Sequence, residues 1–275
     1  MTKTALQIIL TLSFYFLISV TYAQPKERYP QADIKPEVTA GNDTVYFNLK
    51  NPLYCPIRYK LSSQDKDFIK ALSKLETISL PAKSDTIIKI PFKGRFNYHY
   101  SWLLGSPKEL INKNKVSLPF PKRKSYKINQ GHNGAFSHKN KYSRYALDLD
   151  MKIGDTVCAA DNGYVVGVVK DYKEHGSTNS WADYANFITV YHPHSGLYTQ
   201  YVHLKYNGNL VKVGDAVTTG QPIGLSGNTG WTNGAHLHFN VLVPVDDEEG
   251  FESTPIDFLE GYNGAYLKPN TLTKK

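Results

Sequence analysis

Three short stretches in the carboxyl-terminal half alternate polar and apolar residues with a period of two, and this alternation constrains the fold more than any other feature. In His236-Leu237-His238-Phe239 both imidazoles fall on one face of an extended strand, with Leu237 and Phe239 on the other. In Tyr145-Ala146-Leu147-Asp148-Leu149-Asp150 the same rule groups Ala146, Asp148 and Asp150 and leaves Tyr145, Leu147 and Leu149 for a core. Thr199, Tyr201 and His203 share a face by the same count. A helical period would scatter these polar groups around an axis, whereas strands gather them on one surface. The expected class is mostly β, with three strands presenting polar groups to a common groove. A content of 20 Tyr against 2 Met leans the same way, and 41% hydrophobic with 20% charged residues is the balance of a folded chain.

Three segments follow one another along the 275 residues. Lys3 precedes an apolar run over residues 5–20, and Thr21-Tyr22-Ala23 stands before Gln24. That pattern predicts a signal peptide over residues 1–23, an extracytoplasmic protein, and no membrane-spanning segment after cleavage. Residues 24–125 carry short alternating stretches at 44–49, 57–61, 85–91 and 96–103, with one helical patch near 65–75. They predict a small β-sandwich of immunoglobulin-like type. Pro119, Pro121 and Lys122-Arg123-Lys124 mark a linker, and residues 126–275 form the second β module.

Charge divides along the same line. Residues 24–137 carry 20 Lys and Arg against 9 Asp and Glu; residues 138–275 carry 11 against 15. The basic first module is open to two readings, a soluble face or a surface for an anionic partner such as the cell envelope. It could dock there, or cover the groove until displaced. Nucleic acid is not expected as a partner, because the signal exports the chain and no recognition motif accompanies the charge. Cys55 and Cys158 are too few for a disulfide framework or a thiolate metal cluster, and their settings predict two separately buried thiols.

Lys152-Ile-Gly-Asp-Thr-Val157 is echoed by Lys212-Val-Gly-Asp-Ala-Val217, each Gly-Asp making a tight turn before a strand. Lipoyl- and biotin-carrier domains use similar turns, but neither hairpin here presents a modifiable Lys. The nine histidines are more informative. His192-Pro193-His194, followed by Ser195-Gly196, reads as a solvent-exposed hairpin turn. His236 and His238 instead open an apolar strand after a Gly-rich stretch, and so converge two nitrogen ligands or bases on one groove.

Ser137-His138, Tyr145-Ala-Leu-Asp148, Val157-Cys-Ala-Ala-Asp-Asn-Gly163, Tyr201-Val-His203-Leu, Gly220-Gln-Pro-Ile-Gly224, and Ser226-Gly-Asn-Thr-Gly230 through His236-Leu-His238-Phe239 occur in this order. Together they resemble the zinc metallopeptidases of peptidase family M23, the lysostaphin or LytM type, over about residues 130–245. The resemblance implies an antiparallel β-sheet with a groove, one zinc ion per chain, and hydrolysis of peptide bonds in bacterial peptidoglycan. It implies His138, Asp148 and His238 as the zinc ligands, leaving a fourth position for water as a catalytic zinc requires. It also implies His203 and His236 as the catalytic pair, one accepting the water's proton and the other stabilising charge. Ten positions separate His138 from Asp148, where the short form of the family motif has four, so residues 139–144 are expected to loop out. His132 is an alternative first ligand, and Asp150 a neighbouring carboxylate. Trp231 and Trp181 either border the groove or pack. A non-catalytic relative that binds cell wall or activates a hydrolase is the alternative function, although such relatives typically lack metal-site residues and all five positions are filled here.

Overall fold

The computed structural model describes residues 34–75, 77–112 and 115–275. The expected signal peptide, residues 1–23, lies outside the described residues. Among those described, no helix is long and apolar enough to cross a membrane.

The first module contains β1 (Glu37–Ala40), β2 (Thr44–Asn51), β3 (Ile57–Ser62), α1 (Lys66–Leu72), β4 (Ile78–Leu80), β5 (Ser84–Pro91) and β6 (His99–Leu104). Two three-stranded antiparallel sheets form, in the orders β1-β2-β5 and β4-β3-β6. Alternation on β2 buries Val45, Phe47 and Leu49, which meet Ile57 and Tyr59 of β3 in one core. Phe68 and Leu72 of α1 close that core. The helix starts at Asp65, whose Oδ1 accepts the backbone N–H groups of Asp67 and Phe68 at 3.0 and 2.9 Å. Among the described residues the two sheets carry six strands, where an immunoglobulin constant-type domain has seven.

The second module runs through β7 (Ser125–Gln130), β8 (Leu147–Leu149), β9 (Thr156–Cys158), β10 (Gly163–Val169), β11 (His175–Gly176), β12 (Phe187–His192), β13 (Leu197–Val202), β14 (Leu204–Asn209), β15 (Ala216–Val217), β16 (Pro222–Ser226), β17 (Gly230–Trp231), β18 (Leu237–Pro244), β19 (Phe251–Ser253) and β20 (Leu272–Lys274). The principal sheet is antiparallel, ordered β15-β10-β12-β13-β18-β8-β7-β20, with β19 beside β18. Ile188, Val190, Tyr201, Phe239 and Val241 project from one face into the main core. Val157, Leu204 and Ile223 of the smaller β14-β16-β9 sheet meet them there.

The opposite face is divided between two uses. Val166, Tyr191, Tyr198, Leu242 and Phe251 join the hydrophobic core of the first module, so the two modules share one core. Farther along the same strands, Val169, Phe187, Gln200, Val202 and His238 line an open groove. A Tyr54–Tyr164 stack, with centroids 4.5 Å apart, adds a further contact between modules. Val116, Leu118 and Phe120, which lie before the expected boundary at 125/126, pack in the second core. Both cysteines are buried and free, as expected.

Candidate metal centre

β-Sheet register brings the first two groups together. Asp148 on β8 lies directly opposite His238 on β18, while the flanking pairs Leu149–Leu237 and Leu147–Phe239 point into the core. His138 arrives from the loop between β7 and β8, where its backbone N–H donates to the Gly134 carbonyl at 3.1 Å. Its Nδ1 lies 2.9 Å from the Gly131 carbonyl oxygen and must donate the ring proton to it, which turns the Nε2 lone pair into the site. There His138 Nε2 is 3.2 Å from Asp148 Oδ1 and 3.2 Å from His238 Nδ1, and His238 Nδ1 is 2.9 Å from Asp148 Oδ1. The three ligand atoms all lie within 4.8 Å of one another.

This donor set fits a divalent cation. With Nδ1–H of His138 committed to a carbonyl, two imidazole nitrogens and a carboxylate oxygen face one another with too few protons to satisfy all three contacts. A single ion satisfies them at once, and two His with one carboxylate suit a borderline metal. Electrostatics keep Asp148 ionised and shift the two imidazoles in opposite directions. Burial opposes ionisation of Asp148, but hydrogen bonds from His138 and His238 and the neighbouring imidazoles carry its pKa well below the usual carboxylate range. Burial lowers the pKa of His238, partly offset by Asp148. For His138 burial is outweighed by Asp148, and the net direction is upward.

Gln130, which the sequence reading missed, fixes the carboxylate. Its side-chain amide donates to Asp148 Oδ2 at 3.0 Å and to Ser137 Oγ at 2.8 Å, while its Oε1 accepts the backbone N–H of Phe136 at 3.0 Å. A bulge between Ile128 and Gln130 on β7 sets the side chain opposite Asp148. No motif marks such a residue, and the Gly131 carbonyl has no side chain to read.

His203 reaches the site by a different route from the one expected. Thr199 and Tyr201 point into the core on the far side of β13, and the two do not share a face with His203. Strand parity alone would bury His203 beside them. Instead β13 ends at Val202 and His203 adopts a left-handed backbone with φ of 64°, which swings the ring to the groove side. Its Nδ1 lies 2.7 Å from the Thr229 carbonyl oxygen, leaving Nε2 toward the site. Ring centroids are 4.6 Å from His236 and 5.9 Å from His238. Burial and the neighbouring imidazoles hold the His203 pKa well below its ordinary value, so the ring is neutral at pH 7. His236 Nδ1 is 2.8 Å from the Gly234 carbonyl, and its Nε2 is 3.7 Å from Asp148 Oδ1.

The remaining candidates fall outside the cluster. His132 packs edge-on against Tyr145 at 5.3 Å and is not among the three mutually close ligands. Asp150 is exposed beyond the end of β8. His192 is a correction: it is fully buried, with Nδ1 2.8 Å from the Asn162 carbonyl and Nε2 2.9 Å from Thr199 Oγ1. His194 is half-exposed beside Asp161 at 2.9 Å. Trp231 lines the groove and its indole N–H donates to the Ser177 carbonyl at 3.0 Å. Trp181 packs against Tyr184 behind it.

A β-sheet domain with a candidate metal centre on the floor of a groove is the class that fold and site define. Residues 142–253 match the family model for Peptidase family M23, and this segment of the chain is similar to that family. The matched residues contain Asp148, His203, His236 and His238, and His138 lies four residues before them. Among relatives, an uncharacterized metalloprotease of Buchnera aphidicola subsp. Baizongia pistaciae is 33% identical over 130 residues, covering 46% of this chain and 31% of the relative. Peptidoglycan DD-endopeptidase ShyA of Vibrio cholerae is 36% identical over 96 residues, 35% of this chain and 19% of that one. Glycyl-glycine endopeptidase ALE-1 of Staphylococcus capitis is 39% identical over 102 residues, 36% of this chain and 25% of that one. The matched stretch therefore spans less than a third of each relative's own length.

Proposed function

We propose that this chain is an extracytoplasmic zinc endopeptidase that hydrolyses peptide bonds in peptidoglycan stem-peptide crosslinks or bridges. The observation that carries the reading is the convergence of His138 Nε2, Asp148 Oδ1 and His238 Nδ1 on one point of a groove floor, with His203 and His236 beside them. His138, Asp148 and His238 hold one zinc ion. When bound, zinc supplies a Lewis acid toward the scissile carbonyl and lowers the pKa of water toward ~7. His203 and His236 each have Nδ1 beside a backbone carbonyl, which directs Nε2 toward the reacting groups. In neutral form either imidazole takes a proton from water, and in protonated form either donates to the developing oxyanion. The names of ShyA and ALE-1 support peptidoglycan and its small-residue peptides as the substrate class. The apolar run of residues 5–20 supports export, with cleavage after Ala23.

Incubation of the purified protein with peptidoglycans of several crosslink types, followed by mass spectrometry of the muropeptides, tests the reading. Loss of crosslinked dimers that disappears with a chelator and in His238→Ala is the expected result. Intact dimers from every peptidoglycan, with zinc bound, would overturn it.

A further inference from the structure

Arg58 joins the two modules through main chain alone. It sits on β3, is 3% exposed, and its guanidinium donates to four backbone carbonyls. Nη1 reaches Leu104 at 2.7 Å and Gly105 at 2.8 Å; Nη2 reaches Val245 at 2.7 Å and Gly250 at 2.8 Å. The first two carbonyls end β6 of the amino-terminal module, and the second two bracket the turn 245–250 that follows β18. A planar fork of five donors can bind two backbones at a set spacing; a lysine ammonium cannot reach all four. Two glycines in left-handed conformation allow the approach. A Cβ at Gly105, φ 77°, would lie 2.7 Å from Pro244 Cβ, and one at Gly250, φ 78°, would lie 3.1 Å from both Arg58 Nη2 and Leu103 Cδ1.

The parts held this way belong to the groove. Leu103 of β6 and Glu248 and Glu249 of the turn line it together with Tyr142, Gln200 and His238. An ion pair between Lys141 and Asp247 ties the turn to the segment inserted between His138 and Asp148. The sheet face that forms the groove floor passes beneath the amino-terminal module at Tyr198 and Leu242.

We propose that the amino-terminal module is a fixed end wall of the substrate groove, and that Arg58 is the positioning residue that sets Leu103 and the turn 245–250 as its surface. The proposal rests on the reading above that the groove binds a peptide. On β18 the wall begins at Leu242, four residues from His238 and so about 13 Å away at ~3.3 Å per residue. That span accommodates about three or four extended residues between the metal centre and the wall. The matching substrate is a peptide that is short on one side of the scissile bond and continues outward on the other. A crosslink between two short stem peptides has that form; the interior of a long polypeptide does not.

The test uses the zinc-loaded mature chain, soluble crosslinked muropeptide dimers, and the variants Arg58→Met, Arg58→Lys and Leu103→Ala. Hydrogen exchange should accelerate at the amides of 245–250 in Arg58→Met and remain unchanged over 237–241, with partial rescue by Arg58→Lys. KM for the dimers should rise about tenfold in Arg58→Met with a much smaller change in kcat, since a wall contributes binding in ground and transition states alike. Leu103→Ala shifts KM in the same direction and carries the kinetic test if Arg58→Met fails to fold, because it leaves the four hydrogen bonds intact. Unchanged exchange at 245–250, or unchanged KM in both variants, overturns the wall. If the wild-type chain leaves every dimer intact, the peptidase reading fails separately, and hydrogen exchange still decides whether Arg58 positions the turn.

Discussion

Three imidazoles at the candidate metal centre, those of His138, His203 and His236, are oriented by a backbone carbonyl at Nδ1. Gly131 and Thr229 carbonyls hold the Nδ1 protons of His138 and His203, so both rings present Nε2 lone pairs to the groove. Asp148 is held in turn by Gln130 through Oδ2, which leaves Oδ1 for the ligand cluster. Replacing Gln130 with Leu should lower zinc affinity about 10- to 100-fold, read by competition with a chromophoric chelator, because the carboxylate loses its orienting donor. His203→Ala should retain stoichiometric zinc and reduce kcat by about 10²- to 10⁴-fold, the usual value of a general acid–base group. His238→Ala should lose zinc itself. Equal zinc loss in both variants would contradict the assignment of His203 outside the ligand set.

At the level of the element, the β12–β13 hairpin contains a buried imidazole that the metal centre does not use. His192 is bonded to the Asn162 carbonyl and to Thr199 Oγ1, whose hydroxyl lies 3.0 Å from the Tyr201 hydroxyl. Burial pushes its pKa down to about 4 from an ordinary 6.5, so the folded hairpin holds the ring neutral. The unfolded chain binds this proton between pH 6.5 and 4 and the folded chain does not. Stability from this group is therefore complete above pH 6.5 and declines as pH falls toward 4. His192→Gln should flatten the fall in melting temperature over that window relative to wild type, measured at fixed ionic strength. Parallel melting profiles for the two proteins would show that His192 does not titrate on unfolding.

Across the whole molecule, one sheet face serves both modules. Its far half is covered by the amino-terminal sandwich through Tyr191, Tyr198, Leu242 and Phe251, and its near half is the groove. Removing residues 24–112 would expose those side chains, each worth about 1.5–3 kcal/mol when fully buried. The truncated chain should lose cooperative unfolding or aggregate, as size-exclusion chromatography and thermal melts would report. A soluble truncate with an unchanged melting temperature would show the modules to be energetically independent. The basic amino-terminal half also predicts association of the full chain with anionic cell-wall sacculi that weakens in a co-sedimentation assay as salt is raised from about 0.05 to about 0.5 M, over which the Debye length falls roughly threefold. Salt-independent sedimentation would assign the contact to the groove instead.

Alternation alone made much of this legible. Asp148 and His238 share a face because strand side chains repeat every second residue, and Leu147, Leu149, Leu237 and Phe239 enter the core for the same reason. The helix near 65–75, four of the six described strands of the first module and the free buried cysteines were readable from local chemistry as well. Parity misdirected the reading at His203, where a positive φ after Val202 turns toward the groove a side chain that regular β geometry would point into the core. The turn signal misdirected the reading at His192, because a Pro-Ser-Gly sequence describes backbone shape and not which neighbour covers the ring. Gln130 and Arg58 left no trace in any local pattern. Their hydrogen bonds run to residues brought near by sheet register and module packing, up to 192 positions away in Arg58's case. The sequence by itself determined which side chains could meet, since period and propensity act within a few residues. Tertiary structure alone decided how firmly they are held and where the groove ends, since buried donors are satisfied only by whatever backbone the fold delivers to them.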